Sequence, residues 1–323
     1  MATILPQEEA LEEACRVLAA GELVAIPTET VYGLAADATN GAAVARIFEA
    51  KGRPRFNPLI THVADRAMAE RLAVFSPLAG RLADAFWPGP LTLVLPQRPG
   101  SGIHSLVTAG LDTVALRCPR GFGRHVVARL GRPLAAPSAN VSGRVSGTSA
   151  KAVEAGLGAR IPLIVDGGPT PVGLESTIVK VTDDALVLLR PGGVPAEEVQ
   201  RVAGQGLSRG ATGVQAPGML SSHYAPEARI RLNAEAVLPG EALLAFGPER
   251  ARGAEAATAI LNLSPSGDLR EAAANLFSHL SALDASGASV IAAEPVPVTG
   301  LGEAINDRLA RAAAPRDIAA EGR

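Results

Sequence analysis

Short apolar runs separated by longer amphipathic stretches fill the first two thirds of the chain. The apolar runs are short for helices and predict strands at 23–26, 58–63, 91–95, 113–117, 162–166, 176–181 and 185–190. The stretches between several of them predict helices at 42–50 and near 65–74, 77–87, 121–130, 148–157 and 195–203. Strands mixed with helices in this way are typical of an α/β domain with a largely covered sheet.

A further helix is predicted at 6–20, with signals at both ends. Pro6 suits the first turn of a helix, and the acidic residues that follow it suit the positive end of the helix dipole. Gly21 then ends the apolar pattern. We expect this helix to begin directly at Pro6.

The pattern changes after residue 203. Residues 204–218 are rich in glycine and lack apolar periodicity, which predicts a linker. A small unit of Rossmann-like rhythm follows, with predicted strands at 241–246, 258–263 and 289–296 and predicted helices at 268–283 and 303–313. No phosphate-binding glycine fingerprint follows its first strand, so the rhythm alone does not indicate a nucleotide site. We predict a first domain at 1–203, a linker at 204–226 and a second domain at 227–323.

Composition and charge limit the function classes. Of the 323 residues, 47% are hydrophobic and 19% are charged, as in a folded protein rather than a disordered one. The net charge of −2 argues against a protein that grips nucleic acid mainly through bulk charge. Cys15 and Cys118 are far apart in apolar contexts and predict two buried thiols in a reducing compartment. The acidic N-terminus does not resemble a signal peptide, and no 18-residue apolar run is present, so we expect a cytoplasmic protein and no membrane partner.

Several common catalytic motifs are absent from the sequence. It contains no G-x-x-x-x-G-K-[ST] loop, no G-x-S-x-G elbow, no H-E-x-x-H and no cysteine–histidine cluster. These absences argue against P-loop hydrolysis, α/β-hydrolase chemistry and structural zinc.

Polar segments beside the predicted strands carry the candidate chemistry. They are PTETVYGLAAD (27–37), KGRPRFNPLITH (51–62), APSANVSGRVSGT (136–148), VDGGPTPVGLESTIVK (165–180) and SSHYAP (221–226). Each has a structural interpretation as a turn, a helix cap or a docked linker. Together they suggest one crevice, because open α/β sheets bind ligands where such loops meet.

Two interpretations of Lys51 and Arg53 stay open on residue pattern alone. Gly52 is a typical helix stop, and cations favour a helix C-terminus, so the pair suits a solvated helix end. Alternatively, a compact ammonium beside a planar guanidinium suits a polyphosphate. Arg55 has no predicted role beyond a solvated charge.

The order of these motifs resembles the YrdC-like threonylcarbamoyl-AMP synthases. PTETVYGLAADA, KGRPRFNPLITHV, WPGPLTLVL, APSANVSG, VDGGPTPVGLESTIV and LRPGGV cover residues 1 to about 203, and PGMLSSHYAP resembles the linker of the longer, two-domain members. The resemblance implies a YrdC-like twisted mixed sheet with helices, plus a smaller Rossmann-like α/β domain at the C-terminus. It also implies that the linker folds over the active site.

The family condenses L-threonine, bicarbonate or CO2, and ATP into threonylcarbamoyl-adenylate, with release of pyrophosphate. The resemblance therefore implies an adenylyl-transferring enzyme that uses Mg²⁺ with ATP and needs no metal site built from protein ligands alone. Its product would pass to a transferase that modifies adenosine 37 of tRNAs. Direct tRNA binding by this chain is left open.

The resemblance also implies the site residues. Lys51 and Arg53 would be catalytic and hold the ATP phosphates. ATP would be bound by Lys51, Arg53, Asn57, Thr113, Asn140, Thr148, Arg190 and Tyr224. Threonine would be bound by Thr30, His62, Arg117, Ser138 and Ser176.

Two other functions fit the same fold. One is a module that binds double-stranded RNA or tRNA, which the net charge of −2 disfavours. The other is the carbamoyl-transfer domain of a hydrogenase-maturation protein, which would require additional acylphosphatase and zinc-finger-like regions that the sequence lacks.

Overall fold

A computed structural model describes residues 1–182, 185–210, 213–219 and 223–315. The chain divides into two compact units. The first comprises Met1–Ser142 and Ser146–Met219, and the second comprises Gly143–Val145 and Leu220–Arg323. The predicted linker, 204–226, is thus shared between the two units, and its residues 211–212 and 220–222 lie outside the described residues.

The first unit is a mixed sheet covered by helices. Its strands are β1 (Thr3–Pro6), β2 (Val24–Ile26), β3 (Gly33–Asp37), β4 (Ile60–His62), β5 (Leu91–Pro96), β6 (Thr113–Arg117), β7 (Leu134–Ala135), β8 (Leu163–Asp166), β9 (Thr177–Val181), β10 (Leu186–Arg190) and β11 (Ser208–Arg209). Its helices are α1 (Leu11–Ala19), α2 (Gly41–Lys51), α3 (Arg66–Leu72), α4 (Pro77–Phe86), α5 (Ser105–Thr108), α6 (Phe122–Leu130), α7 (Ala150–Leu157) and α8 (Ala196–Ala203).

Strand order brings distant parts of the chain together. Among the described residues the sheet has eleven strands in the order β1-β8-β2-β3-β7-β4-β6-β5-β9-β10-β11. Parallel pairs such as β4–β6 and β5–β9 alternate with antiparallel pairs such as β5–β6 and β9–β10. The predicted α/β class with a mixed sheet is confirmed. The sheet places the ends of β4 and β6 side by side, with His62 opposite Arg117.

The start of the predicted first helix was wrong. Residues 3–6 form β1, which pairs in parallel with β8 from Thr3↔Leu163 to Pro6↔Asp166, and α1 begins only at Leu11. Pairing with a strand 160 positions away along the chain overrides the local helix-start signal at Pro6, as tertiary context commonly does.

A second unpredicted strand lies inside the first polar segment. Residues 33–37 form β3, which pairs antiparallel with β2 (Ile26↔Gly33, Val24↔Ala35). The segment 27–32 is therefore a tight connection between two buried neighbouring strands. This geometry holds Thr28, Glu29 and Thr30 inside the protein, where all three are buried.

Helix α2 delivers Lys51 to the site. The Asn40 side chain caps its N-terminus by accepting hydrogen bonds from the N–H groups of Ala42 and Ala43. At the other end Gly52 has φ of +59°, its N–H donates to Glu49 O, and Arg53 N–H donates to Phe48 O. This is the Schellman pattern, which glycine favours because it lacks a Cβ. The predicted helix stop at Gly52 is confirmed.

The core of the first unit is aliphatic. Most of its buried side chains are Ala, Val, Leu and Ile, among them Ile26, Leu34, Ile47 and Leu91. Cys15 and Cys118 are free, buried thiols, as predicted. Burial raises the pKa of both thiols, which keeps them protonated and unreactive.

The second unit is a small parallel α/β layer. It contains β12 (Arg229–Arg231), β13 (Ala242–Ala245), β14 (Ile260–Asn262), β15 (Val290–Ala293), α9 (Leu269–Asp284), α10 (Leu301–Ala313) and one 3₁₀ turn (Ala254–Ala256). Within the described residues its four strands are parallel and run in the order β12-β15-β13-β14. The predicted strands and helices are present. In the described part of the chain, no helix is long and apolar enough to cross a membrane.

Candidate active site

The first unit contains every predicted site residue except Tyr224. Most lie at the ends of strands or helices, and their contacts form four groups. These groups are Lys51 with Ser138 and Asn140, Arg53 with Asn57, His62 with Arg117, and Ser176 with Arg190.

Lys51 is buried, with only 1% of its surface exposed. Its Nζ donates to the carbonyl oxygens of Ser138 at 2.6 Å and Asn140 at 2.5 Å, and its own carbonyl accepts from Ser142 N–H at 2.8 Å. No carboxylate among the described residues forms an ion pair with it. Burial lowers the pKa of Lys51 well below its ordinary value, and the charge of Arg53 lowers it further. Because the side chain is buried, the solvated-helix-end interpretation was wrong for this residue.

Arg53 turns back onto the loop that follows it. Its Nε donates to Asn57 O at 3.3 Å and its Nη2 donates to Pro58 O at 2.9 Å, and the side chain is buried. The side-chain oxygen of Asn57 is also buried and has no hydrogen-bond partner among the described residues. Arg55, two residues from Arg53, is exposed, in agreement with a solvated charge.

Two of the polar segments are joined by backbone hydrogen bonds. Tyr32 N–H donates to Gly147 O, Ala139 N–H donates to Tyr32 O, and Leu34 N–H donates to Pro137 O. These bonds fix the loop that carries Ser138 and Asn140 against the segment that carries Thr30. Beyond this loop, Thr148 is buried and its carbonyl accepts from Thr170 N–H.

His62 and Arg117 are neighbours across β4 and β6. They are paired residues in the parallel register, and both side chains are buried. His62 Nδ1 has no hydrogen-bond partner within the described residues. Burial lowers the pKa of His62 well below its ordinary value, and the charge of Arg117 lowers it further. The imidazole is therefore neutral at physiological pH and presents a nitrogen that accepts or donates a hydrogen bond.

Glu29 forms an ion pair with Arg117 and was not among the predicted site residues. Glu29 Oε2 lies 2.9 Å from Arg117 Nη2 and accepts from Arg120 N–H at 3.1 Å. Both side chains of the ion pair are buried, with 5% and 8% exposed. The available signal was a carboxylate between two threonines directly after a buried strand. Only the fold shows that its partner is Arg117, 88 positions further along the chain.

Ser176 and Arg190 meet where β9 begins and β10 ends. Arg190 Nη2 donates to Ser176 O at 2.8 Å and to Ser176 Oγ at 3.2 Å. Ser176 Oγ also lies 2.7 Å from Thr92 Oγ1, which is likewise buried. Thr92 was not predicted to belong to the site, because a threonine inside a strand gives no distinguishing sequence signal.

Glu175 connects this corner to Lys51. Its Oε1 accepts from Ser146 Oγ at 2.5 Å, and its charge acts on Lys51 to raise the lysine pKa against the larger effect of burial. The loop after β7 and the loop before β9 therefore approach the same ammonium group.

Thr30 lies beside this assembly, whereas Thr113 is set apart. Thr30 is fully buried and its hydroxyl lies 2.9 Å from that of Thr28. Thr113 opens β6 opposite Pro96, at the far end of the strand from Arg117, and is half-buried. No hydrogen bond joins the Thr113 side chain to another predicted site residue within the described part of the chain.

Tyr224 belongs to the second unit. Its ring is stacked on Phe277 at 5.5 Å between centroids, and Arg308 Cζ lies 5.0 Å from the ring centroid. His223 contacts the same ring edge-on at 4.0 Å. Tyr224 has φ of +64°, an uncommon conformation for a residue with a bulky side chain.

Comparison with known proteins identifies the family. Residues 16–192 match the Sua5_yciO_yrdC family, described as "Telomere recombination", and residues 194–314 match the Sua5_C family, described as "Threonylcarbamoyl-AMP synthase, C-terminal domain". The chain is 41% identical to the threonylcarbamoyl-AMP synthase of Bacillus subtilis (strain 168), over 95% of this chain and 94% of that protein. It is also 41% identical to the threonylcarbamoyl-AMP synthase of Pyrococcus abyssi (strain GE5 / Orsay), over 98% and 99%.

Solved structures agree with the sequence relatives. A crystal structure of P. abyssi Sua5 complexed with L-threonine has a TM-score of 0.88 at 38% identity, covering 97% of this chain and 98% of that one. E. coli YciO is similar to the first unit in fold alone, with a TM-score of 0.54 at 20% identity over 59% of this chain and 96% of that one. Two domain families in this order, together with relatives matched over their full length, show that the chain belongs to the two-domain threonylcarbamoyl-AMP synthase family.

Proposed function

We propose that this chain condenses L-threonine, bicarbonate or CO2, and ATP into threonylcarbamoyl-AMP, with release of pyrophosphate. The observation that supports this most directly is Lys51, a buried ammonium held by two carbonyls in a family whose reaction uses ATP. An anion must approach such a group for its charge to be compensated.

The ATP half of the site is built around Lys51. In this proposal Lys51 and Arg53 bind the triphosphate, and Asn57, Asn140, Thr148, Arg190 and Thr113 surround the nucleotide. Lys51 supplies a compact charge and Arg53 a planar fork, which together stabilise negative charge on the departing pyrophosphate. Tyr224 is proposed to close over the nucleotide from the linker.

Mg²⁺ is proposed to arrive with ATP. The described residues contain no group of three or more His, Cys, Asp or Glu side chains arranged to hold a metal ion. The buried Asn57 side-chain oxygen is a hard ligand that suits Mg²⁺ carried mainly by phosphates and water. The ion would neutralise phosphate charge, and Asn57 would fix its position.

The threonine half of the site is built around Arg117. Arg117 is proposed to bind the substrate carboxylate, because its buried Nη2 has no hydrogen-bond partner within the described residues. Thr30, His62, Ser138 and Ser176 would contact the remaining polar groups of the substrate. The neutral imidazole of His62 avoids repulsion with the Arg117 charge and with the substrate ammonium.

The proposed reaction needs positioning rather than a covalent enzyme intermediate. The threonine ammonium loses a proton to solvent and its nitrogen attacks CO2. The nitrogen then releases a second proton to solvent, which leaves an N-carboxylate. A carboxylate oxygen then attacks the α-phosphorus, the bond to the β-phosphate oxygen breaks, and pyrophosphate leaves with the electron pair. Holding these groups in line supplies much of the rate enhancement in such transfers.

The product is a reactive mixed anhydride, so we propose that a tRNA threonylcarbamoyl transferase consumes it in the cytoplasm. The alternative of a double-stranded RNA or tRNA-binding module is not favoured, because the full-length relatives are named as synthases and the net charge is −2. Full-length HypF, with a TM-score of 0.52 at 18% identity over 57% of this chain and 29% of that one, shares the fold alone.

Pyrophosphate release from ATP tests the function directly. Release is expected only when threonine and bicarbonate are both supplied, and it is expected to continue without tRNA. Omitting each co-substrate in turn provides the control. Release that is equal without threonine, or that requires RNA, would contradict the proposal.

A further inference from the structure

In the buried pair of Glu29 and Arg117, one carboxylate oxygen lacks a hydrogen-bond partner among the described residues. Glu29 Oε2 is satisfied by Arg117 and by the Arg120 N–H group. Glu29 Oε1 is buried and has no hydrogen-bond partner within the described residues. An ionised carboxylate oxygen left unpaired in the interior is costly, so an unpaired oxygen at a binding site indicates a donor supplied by the ligand.

The Arg117 guanidinium also has N–H groups that make no hydrogen bond to the described residues. Its Nε donates to Gly89 O at 3.3 Å, and its Nη2 forms an ion pair with Glu29 but, like Nη1, makes no hydrogen bond to the described residues. The ion pair thus offers one acceptor oxygen and a guanidinium whose two Nη groups make no hydrogen bond to the described residues. A ligand that carries a carboxylate and an ammonium on the same carbon atom would satisfy both.

Resting on the proposed function, we propose that Glu29 is a threonine-binding residue whose Oε1 accepts a hydrogen bond from the substrate ammonium while Arg117 binds its carboxylate. The pair then recognises the zwitterion of an α-amino acid as a unit. Each charge of the substrate meets its opposite in the pair, and the substrate adds no net charge to a buried site.

The surroundings of Glu29 favour this assignment. Glu29 is directly adjacent in the chain to Thr30, a proposed threonine-binding residue, and both side chains are buried. The adjacent His62, which pairs with Arg117 in the sheet register, is neutral and does not compete for the carboxylate as a cation. The side-chain Nε of Arg120 donates to Pro88 O at 2.9 Å, and the ion pair of Glu29 among the described residues is with Arg117.

Comparing two ligands distinguishes a threonine-binding role of Glu29 from a purely structural one. The test measures binding of L-threonine and of 3-hydroxybutyrate, which keeps the carboxylate and hydroxyl but lacks the amine. Wild-type protein is expected to bind L-threonine at least about 30-fold more tightly, as a charged hydrogen bond in a buried site provides. In Glu29→Gln the affinity for L-threonine should fall about 30-fold, and that for 3-hydroxybutyrate less than about 3-fold.

The control is Glu12→Gln, which makes the same chemical change in an exposed ion pair with Arg129. It should leave both affinities unchanged. Equal losses for both ligands in Glu29→Gln would show that Glu29 only positions Arg117, and unchanged affinities would show that it has no role; either result overturns the proposal.

If Glu29→Gln does not fold, as judged by circular dichroism, the proposal can still be tested with the wild-type protein alone. Affinities for L-threonine and 3-hydroxybutyrate within about 3-fold of each other would overturn it without any variant. Failure of the proposed function is distinguishable, because wild-type protein would then release no pyrophosphate in response to threonine.

Discussion

Burial determines the chemistry of individual residues in this protein. Lys51 and His62 are ordinary titratable side chains in the sequence, but the fold removes both from water and lowers the pKa of each. The Lys51 Nζ is held by two carbonyl oxygens and is influenced by the charge of Glu175, and His62 becomes a neutral hydrogen-bonding group.

Replacing Lys51 should remove activity without unfolding the protein. Lys51→Met keeps the length of the side chain and removes a buried charge, so stability should not fall appreciably. Threonine-dependent pyrophosphate release should drop about 100-fold, the scale expected when one preorganised electrostatic contact is lost. Lys151→Met, on the exposed face of α7, should have the wild-type rate. A wild-type rate from Lys51→Met would remove the basis for the phosphate-binding role.

His62 should make the protein less stable in acid. Its folded pKa lies below the unfolded value, so below pH 6.5 the unfolded chain takes up a proton that the folded protein excludes. The free energy of unfolding should therefore decrease by about 1 kcal/mol between pH 6.5 and 5.5 from this residue. Urea denaturation of wild type and His62→Gln across that range measures the difference. If the free energies of unfolding of wild type and His62→Gln decrease in parallel, His62 is not held neutral in the folded protein.

At the scale of secondary-structure elements, close backbone contacts set the positions of the strand ends. Gly192, between β10 and α8, lies against the backbone of Glu175, Ser176 and Thr177, and a Cβ at Gly192 would overlap those atoms. Gly193 N–H also donates to Glu175 O at 3.0 Å. The glycine in the segment LRPGGV is therefore needed for the start of β9 to approach closely enough for Ser176 to meet Arg190.

A methyl group at Gly192 should displace this corner. Gly192→Ala is expected to lower the free energy of unfolding by about 1–3 kcal/mol, because the overlapping atoms belong to backbone that cannot rotate away. Threonine-dependent pyrophosphate release should fall as well. Gly206→Ala is the matched control, since no atom lies within 4 Å of its added Cβ. Equal stability of the two variants in urea denaturation would show that the β9 end adapts freely.

At the scale of the whole molecule, the predicted site residues are divided between the two units. Twelve of the predicted site residues lie in the first unit, and Tyr224 lies in the second, where its ring packs on Phe277 and beneath Arg308. Tyr224 is therefore part of the packing of its own unit, in addition to the proposed role over the nucleotide.

Two substitutions at Tyr224 separate packing from nucleotide binding. Tyr224→Ala removes a buried ring and should cost about 3 kcal/mol of stability, whereas Tyr224→Phe keeps the ring and should cost less than about 1 kcal/mol. Denaturation followed by circular dichroism measures both. If Tyr224 closes over ATP, Tyr224→Ala should also weaken ATP binding at temperatures where it remains folded. Unchanged ATP affinity in both variants would contradict the closing role.

The sequence by itself determined most helices and strands, the order of the polar loops and the family. Local signals are sufficient for these features, as in the Asn40 cap and Gly52 stop of α2, because capping and periodicity depend on neighbouring residues. The tertiary structure alone decided that residues 3–6 are a strand, that Glu29 pairs with Arg117, and that Lys51 is buried. Each of these depends on contacts between residues far apart in the chain, and a local pattern carries no information about which distant strand or side chain will be the partner.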